Sequence, residues 1–261
     1  MPDSEQITHC MGCGTSLRGH QYCGQCGQRN VHRRLAWQAI TEDLKAQLLE
    51  WDLPWLYTIK ELTIRPGKSI REYIEGNRVK YVNPMKYALY VVAFGTILIA
   101  ILPDNVLMSS LIFLNSEAQN PLAKGAIANP AIFLLVASPI AVILLRVALW
   151  SSKLNRTEMY CFVLYVMGHA ALIVYFILII AAIWYTAFPI HVPSDGLTPI
   201  AFTPFFNLAA LSFIFLPPVY AAYASIGVFG VRAFWSAIAT FLVTVTFIFV
   251  SFVLFAFVAS Q

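Results

Sequence analysis

Residues 160–187 read YCFVLYVMGHAALIVYFILIIAAIWYTA, a run without a single Asp, Glu, Lys or Arg. At a rise of 1.5 Å per residue, about 20 apolar residues cross a hydrocarbon core roughly 30 Å thick. The run therefore reads as a transmembrane helix, because within lipid a helix satisfies its own backbone hydrogen bonds. Outward from it, residues 85–102 and 131–149 read the same way on one side, and 205–226 and 234–258 on the other. Asn83-Pro84 and Asn129-Pro130 open the first two of these as an N-cap followed by a first-turn proline. The expected fold class is an all-α polytopic membrane protein with about five transmembrane helices and a small N-terminal four-cysteine zinc ribbon.

Composition agrees. Of 261 residues, 59% are hydrophobic and 11% charged, where a soluble domain carries roughly a quarter charged. Most of the 17 Lys and Arg lie before residue 87, and the rest of the chain is almost free of charge. The expected organisation is a ribbon over 1–30, cytoplasmic amphipathic or interfacial helices over 31–84, and a five-span domain over 85–261. With the N-terminus in the cytoplasm, every Lys and Arg except Lys124 falls on the cytoplasmic side, as the positive-inside rule asks. An odd number of spans then puts Gln261 outside. Val106 to Leu114 reads as an interfacial helix on that outer surface.

The cysteines come in two matched motifs, Cys10-Met11-Gly12-Cys13-Gly14 and Cys23-Gly24-Gln25-Cys26-Gly27. A two-residue spacer lets a tight turn bring both sulfurs within about 3.5–4 Å, the edge of a tetrahedron around zinc. Gly14 and Gly27 follow where such a turn favours positive φ. No apolar secretory core occupies the N-terminus, so these thiols face a reducing cytoplasm, where they bind metal rather than form disulfides. Cys10, Cys13, Cys23 and Cys26 are the expected ligands of a structural Zn2+. Four sulfurs close the coordination sphere, which leaves no position for a substrate.

Between ribbon and first span, Ile40, Leu44 and Leu48 recur at helical spacing. A second helix is expected from about Asp52-Leu53-Pro54 to Arg65, and a third from about Lys68 to Gly76, bounded by Pro66 and the terminal glycine. Arg33, Arg34, Trp37, Trp51, Trp55, Arg78 and Lys80 are the expected interfacial set, since amphipathic aromatics beside cations suit anionic headgroups. Nucleic acid is the poorer partner for this charge, which insertion topology already accounts for.

In the bundle, Glu158, Cys161, Tyr165 and His169 share one helical face. His169 lies roughly 16 Å deeper than Glu158, near mid-bilayer in this reading. Glu158, Tyr165 and His169 form the candidate intramembrane polar site, as a proton relay or binding pocket, against a neutral histidine hydrogen-bonded to a neighbouring helix. Ser138-Pro139 and Pro217-Pro218 break two spans. No nucleophile–base pair, phosphate loop or acidic metal cluster is legible, so no catalytic residue is assigned.

The motifs resemble an uncharacterised bacterial membrane family, domain of unknown function 3667. The resemblance rests on Cys10 to Gly14, on Tyr22 to Gln28, and on a second block of Pro66-Gly67, Tyr73-Ile74-Glu75-Gly76-Asn77-Arg78, Tyr81 and Pro84. A weaker match runs from Glu158 through Leu164-Tyr165 to His169. Asn77 stands where a basic residue is usual. The resemblance implies a zinc ribbon on a helical membrane domain in a bacterial cytoplasmic (inner) membrane, and no known activity. The expected function is a membrane-anchored adaptor or regulator that binds a cytoplasmic protein partner. The alternatives are a small oligomeric transporter or channel built around His169, and a membrane enzyme acting on a lipid-like substrate.

Overall fold

The computed structural model describes residues 9–10, 12–17, 22–28, 37, 40–41, 54–101, 130–150, 152–187, 204–229, 235–242 and 244–245. Among them every regular element is a helix: α1 (Pro54–Ile64), α2 (Pro66–Glu75), α3 (Pro84–Ile101), α4 (Pro130–Ala148), α5 (Arg156–Ala187) and α6 (Pro204–Phe229). A further helical stretch covers 235–242. No strand occurs among the described residues; His9 and Ser16 make an isolated antiparallel bridge. The fold is all-α.

Proline punctuates the chain. Five of the helices open on it, where its missing N–H has no intrahelical partner to lose. Pro66 ends α1 and is the first residue of α2, so the third expected helix starts there rather than at Lys68. Gly76 closes α2 at φ 115°, and the Gly76 and Asn77 amides return to Tyr73 O and Glu72 O at 3.2 and 2.9 Å, a Schellman cap. Asn83 caps α3 as expected, its Oδ1 accepting from the Met85 amide at 2.9 Å. At α5 Asn155 and Glu158 form a capping box, each side chain accepting from the other's backbone N–H at 2.7 Å.

Helix α5 is the hub, packed on α3, α4 and α6 and touched by α1 and α2. Its first half is enclosed by protein, Cys161 through Val166 being buried in sequence, whereas Phe176, Ile180 and Ile183 further along are exposed. In α3 the change is the same, from buried Tyr87 and Val91 to exposed Phe94, Ile97 and Ile101. The short helices α1 and α2 sit at the enclosed end. At the α2–α6 crossing Gly67 meets Gly227 backbone to backbone, with no room for a side chain on either.

One described helix, Arg156–Trp184, is long and apolar enough to cross a membrane. The apolar stretches Pro84–Leu98, Ser138–Ala148 and Phe215–Phe229 are shorter, below the ~20 residues a bilayer core asks for. The described fold thus carries one candidate span where five were expected. Of the fifth expected span only its first half falls within the described residues. The expected outer helix at 106–114, most of the helix through Leu44 and Leu48, and Arg33, Arg34 and Trp51 lie outside them.

Candidate metal centre

Two knuckles build the cysteine cluster, and each repeats the same backbone bonds. Gly14 N donates to Cys10 O at 2.8 Å and Gly27 N to Cys23 O at 2.9 Å; Cys10 N donates to Thr15 O at 2.7 Å and Cys23 N to Gln28 O at 2.8 Å. Gly14 and Gly27 hold φ of 77° and 71°, the left-handed conformation expected of them. The Cys10 and Cys26 sulfurs lie 3.5 Å apart, as do those of Cys13 and Cys23, and all four fall within 4.8 Å of one another. A tetrahedral site with metal–sulfur bonds near 2.3 Å needs sulfur–sulfur edges of about 3.8 Å. The four sulfurs are close enough together to hold a metal ion.

The surroundings favour ligation. The Gly12 amide donates to Cys10 Sγ at 3.4 Å. Thr15 sits 3.2 Å from Cys13 Sγ and holds the Cys13 thiol down at about 6, while its own hydroxyl donates to Gln25 across the knuckles. Burial pushes the Cys26 thiol up to about 12. Four thiolates this close repel one another, and a divalent cation offsets that repulsion. The fifth cysteine, Cys161, is buried in α5 away from the cluster.

Gln28, quoted in the sequence motif but given no role there, joins the cluster to the bundle. Its side-chain Nε2 donates to Gly76 O, and its Oε1 accepts from the Val79 amide at 3.2 Å. The second motif block thereby seats the first. The connection it grips is fixed from behind: Val82 N donates to Thr58 Oγ1 at 2.9 Å, Tyr165 OH donates to Val82 O, and Asn83 Nδ2 donates to Ile40 O at 2.9 Å. Beside it the buried Tyr81 hydroxyl donates to Glu72 at 2.7 Å, and burial together with that carboxylate pushes the phenol up.

The expected polar stripe on α5 separates into two parts. Glu158 is spent on the capping box at the helix start. His169, eleven residues on, meets Tyr87 OH with Nδ1 at 2.6 Å and Thr63 Oγ1 with Nε2 at 3.0 Å. The Thr63 hydroxyl donates to Ile59 O at 2.8 Å, so it accepts from Nε2–H, and Nδ1 accepts from Tyr87. Both nitrogens of a neutral ring are thus engaged, which is the structural reading of His169. Tyr165 packs on Tyr87 and Tyr73 with its hydroxyl on Val82.

The same contacts bring His169 against α1 at the enclosed end of the bundle. Helix α5 has 32 residues, a length of roughly 48 Å, longer than the roughly 30 Å of a hydrocarbon core. Thr63 belongs to α1, where Glu61 pairs with the half-exposed Arg65. His169 therefore sits level with charged residues.

Four members of the expected interfacial set fall within the described residues. Trp55 packs on Tyr87 and Tyr90 with ring centroids 5.1 and 5.3 Å away, and Arg78 lies over the Tyr73 ring. Both are half-buried. Trp37 stays exposed, edge-on to Tyr160, and Lys80 is exposed. The carbonyls at the end of α1 find partners on α6. Pro66 has no N–H to offer Leu62 O, which instead accepts from Tyr220 OH at 2.9 Å, and Ile64 O accepts from Tyr223 OH at 2.9 Å.

These features define a helical protein with a four-cysteine cluster, able to hold a metal ion, clamped to it and one helix long and apolar enough to cross a membrane. Residues 55–95 match the model of a family described as a protein of unknown function, DUF3667, the family that the motifs resemble. The match runs from α1 through the connection gripped by Gln28 into α3. No curated protein and no solved structure matches the chain.

Proposed function

We propose that this is a multi-pass membrane adaptor: a zinc-bound ribbon, fixed to the cytoplasmic end of a five-span bundle, that presents a rigid docking surface to a cytoplasmic protein. The observation that carries it is the arrangement of the ribbon. Gln28 and the buried Cys10, Leu17 and Cys23 face inward, while His9, Cys13, Tyr22 and Gln25 face away. A closed sulfur sphere supports structural zinc rather than chemistry at the metal, and a segment this small needs such a staple to fold.

The membrane part of the reading has separate support. Exposed apolar side chains line α3, α4, α5 and α6: Ile97, Ile143, Ile180 and Val219 among them. Trp150 and Trp184 follow or close the apolar stretches of α4 and α5, and Trp235 stands where the fifth expected span begins; all three are exposed, as headgroup-level tryptophans are. Exposed Lys60, Lys68 and Lys80 surround α1 and α2, which suits an anionic cytoplasmic leaflet in a bacterial inner membrane. Self-association of the bundle is compatible with this arrangement.

A photo-crosslinking residue in place of Tyr22, in the full chain in its membrane, tests the adaptor. The expected result is capture of a discrete cytoplasmic protein that is lost in a Cys10→Ser/Cys23→Ser background. Capture that persists in that background, or a reporter fused after Gln261 that reads out in the cytoplasm, refutes the corresponding part.

A further inference from the structure

Gln28 belongs to two structures at once. Its backbone carbonyl takes the Cys23 amide at 2.8 Å and closes the second knuckle. Its side-chain amide leaves the knuckle, reaches Gly76 O and receives the Val79 amide at 3.2 Å. The residue is 7% exposed, so water competes poorly for these bonds. Gly12 of the first knuckle lies on the same spot, since a side chain there would meet Gln28 Oε1 at 3.6 Å and Asn77 Oδ1 at 3.7 Å. Both halves of the metal loop thus bear on one short strap between α2 and α3. On its far side the strap leads into Val82 and Asn83, which bond to α1, to Tyr165 of α5 and to Ile40.

We infer that the strap from Gly76 to Val79 is held by a metal-dependent clamp, with Gln28 as the residue through which metal occupancy reaches the bundle. The inference rests on the metal reading of the four cysteines. The ribbon's own core is Cys10, Leu17 and Cys23 with Cys26 against it, too little to fold without a cation. With metal bound, the knuckle presents the Gln28 amide already oriented, and the contact costs little further entropy. With metal lost, the ordering of the whole segment falls to two hydrogen bonds, too few to offset its conformational entropy, and the strap is released. Linkage makes the effect reciprocal: whatever factor metal adds to clamping, clamping adds to metal affinity. Removal of a thiophilic divalent cation, or oxidation of its sulfurs, would therefore loosen the start of α3 without any partner acting there.

Hydrogen–deuterium exchange over residues 76–82 of the full chain in lipid nanodiscs, read with zinc content, tests this. Stripping zinc from wild type is expected to speed exchange at Val79 by roughly 5- to 150-fold, the usual span of coupling between sites. Gln28→Ala loaded with zinc should exchange as fast as stripped wild type, and stripping it should add nothing. Gln28→Glu keeps an acceptor for Val79 but loses the donor to Gly76, and should fall between. If zinc binds and its removal leaves Val79 exchange unchanged, the clamp is refuted while the metal site stands. If Gln28→Ala exchanges like wild type, Gln28 is not the coupling residue. If wild type takes up no metal at all, the metal reading falls and the clamp with it.

Discussion

Replacing Gly67 with alanine puts a methyl group 2.5 Å from Ala224 O, 2.5 Å from Gly227 Cα and 2.7 Å from Gly227 N. All three neighbours are backbone, so no side chain can swing aside. Ordinary contact for such a carbon begins near 3.4 Å, and α2 and α6 must part by roughly 1 Å to reach it. Overpacking of this kind costs about 1–3 kcal/mol. Parting also strains three bonds across the seam: Tyr220 to Leu62 O and Tyr223 to Ile64 O, both 2.9 Å, and Arg71 Nη2 to Val228 O at 2.8 Å. At about 1 kcal/mol each for the Tyr220 and Arg71 bonds and less for the exposed Tyr223 bond, their partial loss adds about 1 kcal/mol. Alanine returns less than about 1 kcal/mol of helix propensity in a first turn. The net expectation is about 2–3 kcal/mol, a fall in Tm of about 5–10 °C for a chain of this size, measured by circular dichroism of the purified protein in mild detergent. Gly227→Ala attacks the same seam from the other side and should cost as much. The double variant should cost less than the two together, because the gap is opened once. Gly24→Ala, where a methyl meets nothing within 4 Å, is the control. A Gly67→Ala protein that melts within about 1 °C of wild type would refute the backbone-contact crossing.

Tyr220→Phe leaves the buried Leu62 carbonyl without its donor and should cost about 1–3 kcal/mol in the same melt, whereas Tyr223→Phe should cost under about 0.5 kcal/mol because water reaches that half-exposed hydroxyl. Glu158→Ala removes half of the capping box and should lower stability by about 1 kcal/mol while leaving zinc content unchanged; a tenfold larger effect, or an altered metal content, would return Glu158 to a functional site. Cys161→Ser should leave metal stoichiometry at the wild-type value and Cys23→Ser should abolish it, as read by metal analysis of purified protein.

Signals written within a few residues were legible, and those written across the chain were not. Asn83-Pro84, Pro66, Gly76, and Gly14 with Gly27 each dictate a local conformation that the structure adopts, because caps, proline and left-handed glycine act through the nearest turn. Glu158 is the instructive failure. Helical spacing puts it on a face with His169, yet Asn155 three residues earlier is the mark of a capping box, and the nearer partner wins. The seam between Gly67 and Gly227, the Tyr220 bond to Leu62 at a separation of 158 residues, and the reach of Gln28 to Gly76 have no local signature. A glycine that must be bare and one that merely turns look alike in one sequence.

The surroundings of His169 show the same limit in another form. Length and hydropathy say that α5 can cross a bilayer, but not which part of it does. Its run from Cys161 to Val166 is as apolar as the run from Leu172 to Ile183, and composition alone would submerge both. What separates them is what covers them. The first is covered by α1 and α2 in addition to α3, α4 and α6, and around α1 and α2 Glu61, Arg65, Lys68 and Glu72 hold two ion pairs, while the second turns Phe176, Ile180 and Ile183 outward. A helix buried all round needs no lipid, whereas one with an unpartnered apolar face does. The boundary between protein-covered and outward-facing α5 therefore falls between His169 and Phe176, and the matched family segment is the part of the chain that makes the covered half possible.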